Sequence, residues 1–231
     1  MPEQVRRYDT LRGYKTSSHD HSGPHRGHEQ ASILRLGAGC CHTGSLRWGS
    51  LSFLHSGRWE MPGDIAFRAL QETDVHAVYE VALEAWHSTY KDIYPAEFIN
   101  NFVQTNYAPA VSLRLVPRIQ AGQQFFHVAL PQSSVVGFCH IAETRHGMEL
   151  LRIYLRPSYI GQGIGRALLH QGEAFIKARG YSTYCCFVHK ENDLGKNFYV
   201  RNGFTHMIEK DGAEEWYMEK RLGEPGQAGR G

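Results

Sequence analysis

The chain has 231 residues, of which 42% are hydrophobic and 21% charged, with a formal net charge of +2. That length suits one domain of ordinary size plus an appendage. The near-neutral balance, with no basic run interleaved with aromatics, leaves no footprint for nucleic acid, and no stretch approaches the ~18 consecutive apolar residues of a membrane span.

The N-terminus lacks an apolar signal core. The five cysteines are Cys40, Cys41, Cys139, Cys185 and Cys186. Two adjacent pairs plus a single make neither a secreted disulfide framework nor a Cys-x-x-Cys metal site. Reduced, buried thiols in the cytoplasm are the expectation.

Residues 1–62 are rich in Gly, Ser, Arg and His and show no sustained periodicity. The histidines His19, His21, His25 and His28 cluster there. With no second cluster or fixed element beside them, they read as a solvated, disordered tail and not as a metal site. Met61 is the expected native start, because the regular pattern begins immediately after it. A transit peptide is the rival reading, and Glu3 and Asp9 weigh against it.

From Asp64 the pattern becomes regular. Ile65 to Leu70 alternates as a first strand. Thr73 or Asp74 can cap a helix whose apolar positions Val75, Val78, Ala82 and Ala85 recur at helical spacing. Pro95 opens a second helix through Phe102, and a third, Val111 to Ile119, is interrupted by Pro117. Gln124 to Leu130 and Val135 to Ile141 are strands joined by a turn at Pro131-Gln132-Ser133-Ser134. Met148 to Leu155 is the next strand. A helix from Ile164 to Arg179 follows, then a strand, Tyr184 to Val188. A short helix, Asp193 to Arg201, is stopped by Asn202-Gly203. Thr205 to Glu209 and Glu215 to Met218 are expected to pair around Asp211-Gly212 as a final hairpin.

Between the strand ending at Leu155 and the helix starting at Ile164 lies Ile160-Gly161-Gln162-Gly163-Ile164-Gly165-Arg166. Glycines at a strand-to-helix turn expose backbone N–H groups, and the helix N-terminus adds partial positive charge. The loop therefore suits a phosphate or pyrophosphate. A dinucleotide fingerprint needs Gly or Ala at the last position, where Arg166 stands. A nucleotide P-loop needs Gly-Lys followed by Ser or Thr, and the chain has none.

The stretch Arg156 to Leu169 resembles the acetyl-coenzyme A loop of the GNAT acetyltransferase superfamily, Gln/Arg-x-x-Gly-x-Gly/Ala. Downstream, Asn192-Asp193-Leu194-Gly195-Lys196-Asn197-Phe198-Tyr199-Val200-Arg201-Asn202-Gly203-Phe204 is similar to the family's Asn-x-x-Ala-x-x-Phe-Tyr-x-x-x-Gly-Phe. One departure stands out: Ile160 occupies the usual Gln or Arg position. The resemblance covers about residues 64 to 222. It divides the chain into an N-terminal extension (1–62), an acetyltransferase domain (63–222) and a flexible tail (223–231). The fold it implies is mixed α/β: a twisted, mainly antiparallel central sheet with splayed middle strands and flanking helices.

The resemblance also implies roles. Gly161, Gln162, Gly163, Ile164, Gly165 and Arg166 would hold the pyrophosphate of acetyl-coenzyme A. Ile153, Tyr154 and Leu155 would run along its pantetheine arm, with a backbone N–H near Tyr154 or Leu155 facing the thioester oxygen. Asn192 would touch the cofactor, or serve as a plain helix cap, or both. Tyr199 matches the general acid, and a phenol with an ordinary pKa near 10 suits protonation of a thiolate.

A base is read from the residues. Glu149 enters the strand before the loop and on alternation shares a face with Leu151 and Ile153; His140 and His189 are its rivals. Ribosomal-protein N-terminal acetyltransferases carry a glutamate five residues before the motif asparagine, and here that residue is Phe187. Trp86-His87-Ser88-Thr89-Tyr90-Lys91-Asp92-Ile93-Tyr94-Pro95 resembles a segment of small-amine acetyltransferases, including polyamine enzymes. Its aromatic faces, near Asp92 and Glu97, suit a cationic amine.

The expectation is transfer of acetyl from acetyl-coenzyme A to the primary amine of a small molecule by direct attack. No cysteine sits in a motif suited to nucleophilic catalysis. Alternatives are a protein N-terminal or lysine acetyltransferase and a non-catalytic acetyl-coenzyme A sensor. Dimers are common among the proteins this chain resembles, so a homodimer is the assembly to test for.

Overall fold

The structure is a computed structural model, and it describes residues 65–223. The expectations for residues 1–62, including the histidine cluster and the start at Met61, lie outside the described residues, as does all but Gly223 of the tail.

Seven strands form one sheet in the order β1-β2-β3-β4-β5-β7-β6. They are β1 (Ile65–Ala69), β2 (Phe125–Pro131), β3 (Gly137–Thr144), β4 (Gly147–Leu155), β5 (Thr183–His189), β6 (Thr205–His206) and β7 (Glu215–Arg221). Every pairing is antiparallel except β4 with β5. That one parallel pair needs a crossover, supplied by the glycine loop and the long helix after it.

Among the described residues, six α-helices cover the sheet: α1 (Val75–Tyr90), α2 (Ala96–Tyr107), α3 (Pro109–Leu113), α4 (Val116–Gln120), α5 (Ile164–Ala178) and α6 (Asp193–Arg201). Strand alternation sorts the core into two layers. Phe126, Val128, Phe138 and Tyr154 face α1, α2 and α4 through Trp86, Ile99 and Ile119. Phe125, Cys139, Ile141 and Ile153 face α5 and α6 through Leu168, Ile176 and Tyr199. Gly172 lies where α5 crosses the sheet; a Cβ there would come 2.3 Å from Ile141.

Several expectations shift at element ends. Asp74 does occupy the N-cap of α1, but its side chain does not cap the helix. Its carboxylate is taken by Arg68, 3.0 Å away, and by the Gln71 N–H at 2.9 Å. The second helix runs past Phe102 to Tyr107 and stops ahead of Pro109, because the residue before a proline is pushed out of the helical region. Pro117 does not interrupt a helix. It lies in the first turn of α4, where its missing N–H costs nothing.

The final hairpin is not symmetric about Asp211-Gly212. The strand β6 is two residues long and meets the far half of β7, Thr205 opposite Glu219. A 3-10 turn at Ile208–Lys210 fills the connection. Asp211 holds it in place by accepting from the Tyr217 N–H at 2.9 Å while bonding His206 Nε2 at 2.9 Å.

Candidate active site

The centre of the sheet is where the molecule opens. Parallel β4 and β5 match at one register pair, Glu149 opposite Cys185. Beyond it β4 runs on to Leu155 with β3 still beside it on the other edge. The main chain of Ile153, Tyr154 and Leu155 therefore borders the gap between the parting strands.

The glycine loop lies at the open end of that gap. Gly161 and Gly163 both have φ of +83°, the left-handed region that a side chain strains to adopt. Such residues turn successive N–H groups toward a common point, an anion-binding concavity. Gly163 is also the N-cap of the 15-residue α5, so the helix dipole reinforces that point. Gln162 braces the turn by donating from Nε2 to the Ser158 carbonyl at 2.9 Å. Ile164 and Gly165 are buried under the loop, while Gln162 and Arg166 are exposed. Ile160 packs against the α5 core, so the residue that departs from the family pattern serves the interior.

Strand β4 carries the main difference from the sequence reading. Leu150 pairs with Ile141 and Arg152 with His140, which leaves Leu151 as an extra, bulged residue. A bulge breaks strict alternation. Glu149, opposite Ala142, does not share a face with Ile153 as alternation predicts. It shares one with Arg152 and Tyr154, on the side of α1 and α2.

Glu149 is 1% exposed, and its Oε2 accepts from Thr144 Oγ1 at 2.8 Å. Tyr154 is fully buried and bonds Tyr107, hydroxyl to hydroxyl, at 2.8 Å.

Tyr199, on α6, is 0% exposed, and its hydroxyl has no hydrogen-bond partner. Burial holds its phenol well above the ordinary range, and the neighbouring Cys186, Tyr154 and Tyr90 push in the same direction. Tyr199 and Tyr154 thus come together; Glu149 sits at the opposite end of β4. Asn192 is 2% exposed and caps α6, accepting from the Gly195 N–H at 2.9 Å through Oδ1. Its Nδ2 donates to Tyr90 Oη at 2.8 Å. That bond, from the α6 cap to the end of α1, joins two motifs 102 residues apart and was invisible in either one.

The two histidines differ. His140 is held neutral, its imidazole pushed well below the usual range by burial and by the Arg152 charge; its Nε2 bonds Gln124 at 3.1 Å. His189, at the end of β5, accepts from the Glu191 N–H through Nδ1 at 3.2 Å, so its Nε2 carries the hydrogen toward Tyr94 Oη, also at 3.2 Å. The aromatic segment is largely core: Trp86 and Tyr90 are fully buried and pack on each other at 4.9 Å. Asp92 and Glu97 are exposed, while the Tyr94 and Tyr90 rings both meet His189, at 5.8 and 6.2 Å between centroids. Among the described residues, no group of His, Cys, Asp and Glu could hold a metal ion, and no helix is long and apolar enough to cross a membrane.

Comparison with known proteins agrees with this geometry. Residues 122–206 match the acetyltransferase (GNAT) domain family. The chain is 32% identical over 158 residues to a spermidine N(1)-acetyltransferase of Thermoplasma acidophilum, covering 68% of this chain and 97% of that one. The crystal structure of the PaiA N-acetyltransferase from Thermoplasma acidophilum in complex with coenzyme A superposes with a TM-score of 0.66 at 32% identity, covering 69% of this chain and 99% of that one. A GCN5-related N-acetyltransferase from Rhodopseudomonas palustris, at 19% identity and TM-score 0.55 over 72% of this chain and 100% of its own, shares the fold. The splayed sheet, the glycine loop and these relatives lead to one conclusion: the chain belongs to the GNAT acetyltransferases and is an acetyl-coenzyme A-dependent N-acetyltransferase.

Proposed function

We propose that the protein transfers acetyl to the primary amine of a small molecule, with no covalent enzyme intermediate. Bound acetyl-coenzyme A supplies an activated thioester. The residues present fit it. The left-handed glycines Gly161 and Gly163, with the α5 N-terminus, suit its pyrophosphate. The β4 edge from Ile153 to Leu155 suits the pantetheine amides, strand to strand.

The observation that carries the proposal is the buried, unpartnered hydroxyl of Tyr199. An unsatisfied buried donor is costly, and one kept protonated by its surroundings is suited to give a proton to a departing thiolate. In the balanced step, the amine nitrogen bonds the acetyl carbon and the carbon–sulfur bond breaks. The amine's proton passes to Glu149, which stands toward the other end of β4, through intervening water, and Tyr199 protonates the sulfur. In this reading the oxyanion donor is the N–H of the bulged Leu151, which leaves the regular ladder, in preference to an N–H near Tyr154 or Leu155. A preorganised N–H of this kind contributes about 3 kcal/mol in well-studied acyl transfers. Asn192 acts through Tyr90, orienting the end of α1, with its cap function retained.

The spermidine-acetylating relative makes aliphatic amines the first acceptors to try. The test is release of free coenzyme A from acetyl-coenzyme A with polyamines, amino acids, aminoglycosides and peptides. Release dependent on a small primary amine is expected. Release with peptides alone, or none with any amine, would overturn the reading.

A further inference from the structure

Arg152 has no part in the transfer step just described, yet it stands on the face of β4 that carries the proposed base, Glu149. The Leu151 bulge turns it to the same side as Glu149 and Tyr154. Its guanidinium lies over the Tyr107 ring, 4.6 Å from the centroid, a contact that orients the group. Its Nη1 is buried and has no hydrogen-bond acceptor.

Two other arginines are matched by carboxylates: Arg68 by Asp74, and Arg156 by Glu80 and Glu84. Among the described residues, no carboxylate forms an ion pair with Arg152. Its partner across the strands, His140, is neutral and already bonds Gln124, so it offers no negative charge. Arg152 as a whole is half-buried, yet a guanidinium N–H that is buried without an acceptor is costly to keep, and a planar guanidinium fork matches a carboxylate.

We propose that Arg152 receives the carboxylate of the acceptor, which makes the acceptor a small amino-carboxylate and not a polyamine. The proposal rests on the amine-transfer reading above and narrows its acceptor class. A polyamine carries only positive charges and brings nothing to match the guanidinium. Spacing agrees. Glu149 and Arg152 stand opposite Ala142 and His140, two residues apart on β3 and therefore roughly 7 Å apart along the strand. An amine and a carboxylate separated by several carbons, as in ornithine or lysine, reach both.

The experiment compares lysine and ornithine with cadaverine and putrescine, which differ from them only by the carboxylate. Lysine should exceed cadaverine in kcat/KM by at least roughly tenfold. Arg152→Gln should lower the lysine-to-cadaverine ratio by roughly ten- to a hundredfold, chiefly through the KM for lysine. Arg152→Lys should restore part of it, since it keeps the charge and loses the fork. If Arg152→Gln fails a melting check, Arg152→Lys carries the comparison alone.

Binding separates this proposal from the reading beneath it. With coenzyme A present, lysine should raise the melting temperature of the wild type more than that of Arg152→Lys. Lysine binding without acetylation would sink the transfer reading and uphold the anchor. Preferred acetylation of cadaverine, a ratio unmoved by both variants, or no lysine-dependent stabilisation would overturn the anchor.

Discussion

The glycine loop and the acceptor face of β4 are neighbours built on opposite plans. On the proposed reading the loop binds with main chain: two glycines at φ of +83° and a helix N-terminus present N–H groups whatever the surrounding side chains are. The proposed acceptor face would work with side chains, and which of them stand on it is decided by one bulged residue, Leu151. A backbone site is robust and local. A side-chain site depends on register, burial and partners far away in sequence.

If that contrast is right, the two regions fail differently when altered. The largest effect is expected at Tyr199. Tyr199→Phe should lower kcat by about a hundredfold, the usual worth of a positioned acid, and steady-state kinetics at saturating amine would read it. An unchanged kcat would remove Tyr199 from the acid role. Glu149→Gln comes next: the acidic limb of the kcat/KM profile should vanish, with a loss at neutral pH on the order of tenfold or more. A profile of unaltered shape would dismiss Glu149 as the base. At the loop, Gly163→Ala places an L residue in the left-handed region at a cost of ~1–2 kcal/mol. Its KM for acetyl-coenzyme A should rise by roughly five- to thirtyfold while kcat holds. A fall in kcat with KM unmoved would break the division between the two regions.

This division also explains what could be read from the sequence. The loop was legible because glycine spacing is itself the mechanism: Gly161, Gly163 and the start of α5 stand where the pattern put them. The α/β order was legible for the same reason, since Val78, Ala82 and Ala85 recur with the helical period and are buried. The acceptor face was not legible. Period-two alternation put Glu149 with Ile153, and an inserted residue reversed that. Arg152 carried no signal, because a lone arginine on a strand usually points to solvent. The bond from Asn192 to Tyr90 spans two motifs that give no hint of each other. Asp74 looked like a helix cap, and Arg68 claimed its carboxylate first.

Two smaller effects refine the comparison. Asn192→Ala removes both the α6 cap and the hold on Tyr90, and should cost about 1–2 kcal/mol in denaturant unfolding. Asn192→Asp keeps the cap oxygen and removes the Nδ2 donor, so a loss of activity in Asn192→Asp at wild-type stability would isolate the Tyr90 bond. The smallest effect is at His140. Its imidazole is depressed in the folded protein, so the unfolded chain binds the extra proton as pH falls below the ordinary histidine value. Stability present above that value is lost on acidification, by at most ~1.4 kcal/mol per pH unit. His127 and His146 are depressed too, so His140→Gln should flatten the slope of stability against pH without abolishing it. An identical slope in pH-dependent melting would place the proton uptake elsewhere.

The central claim is that main chain holds the cofactor while the Tyr199 hydroxyl serves the chemistry. The most direct test is the affinity of Tyr199→Phe for acetyl-coenzyme A, titrated calorimetrically on the same preparation used for turnover. Affinity within about twofold of wild type, alongside the hundredfold loss of turnover, is the predicted result. Affinity and turnover falling together would contradict the account and return Tyr199 to the core as an ordinary buried tyrosine.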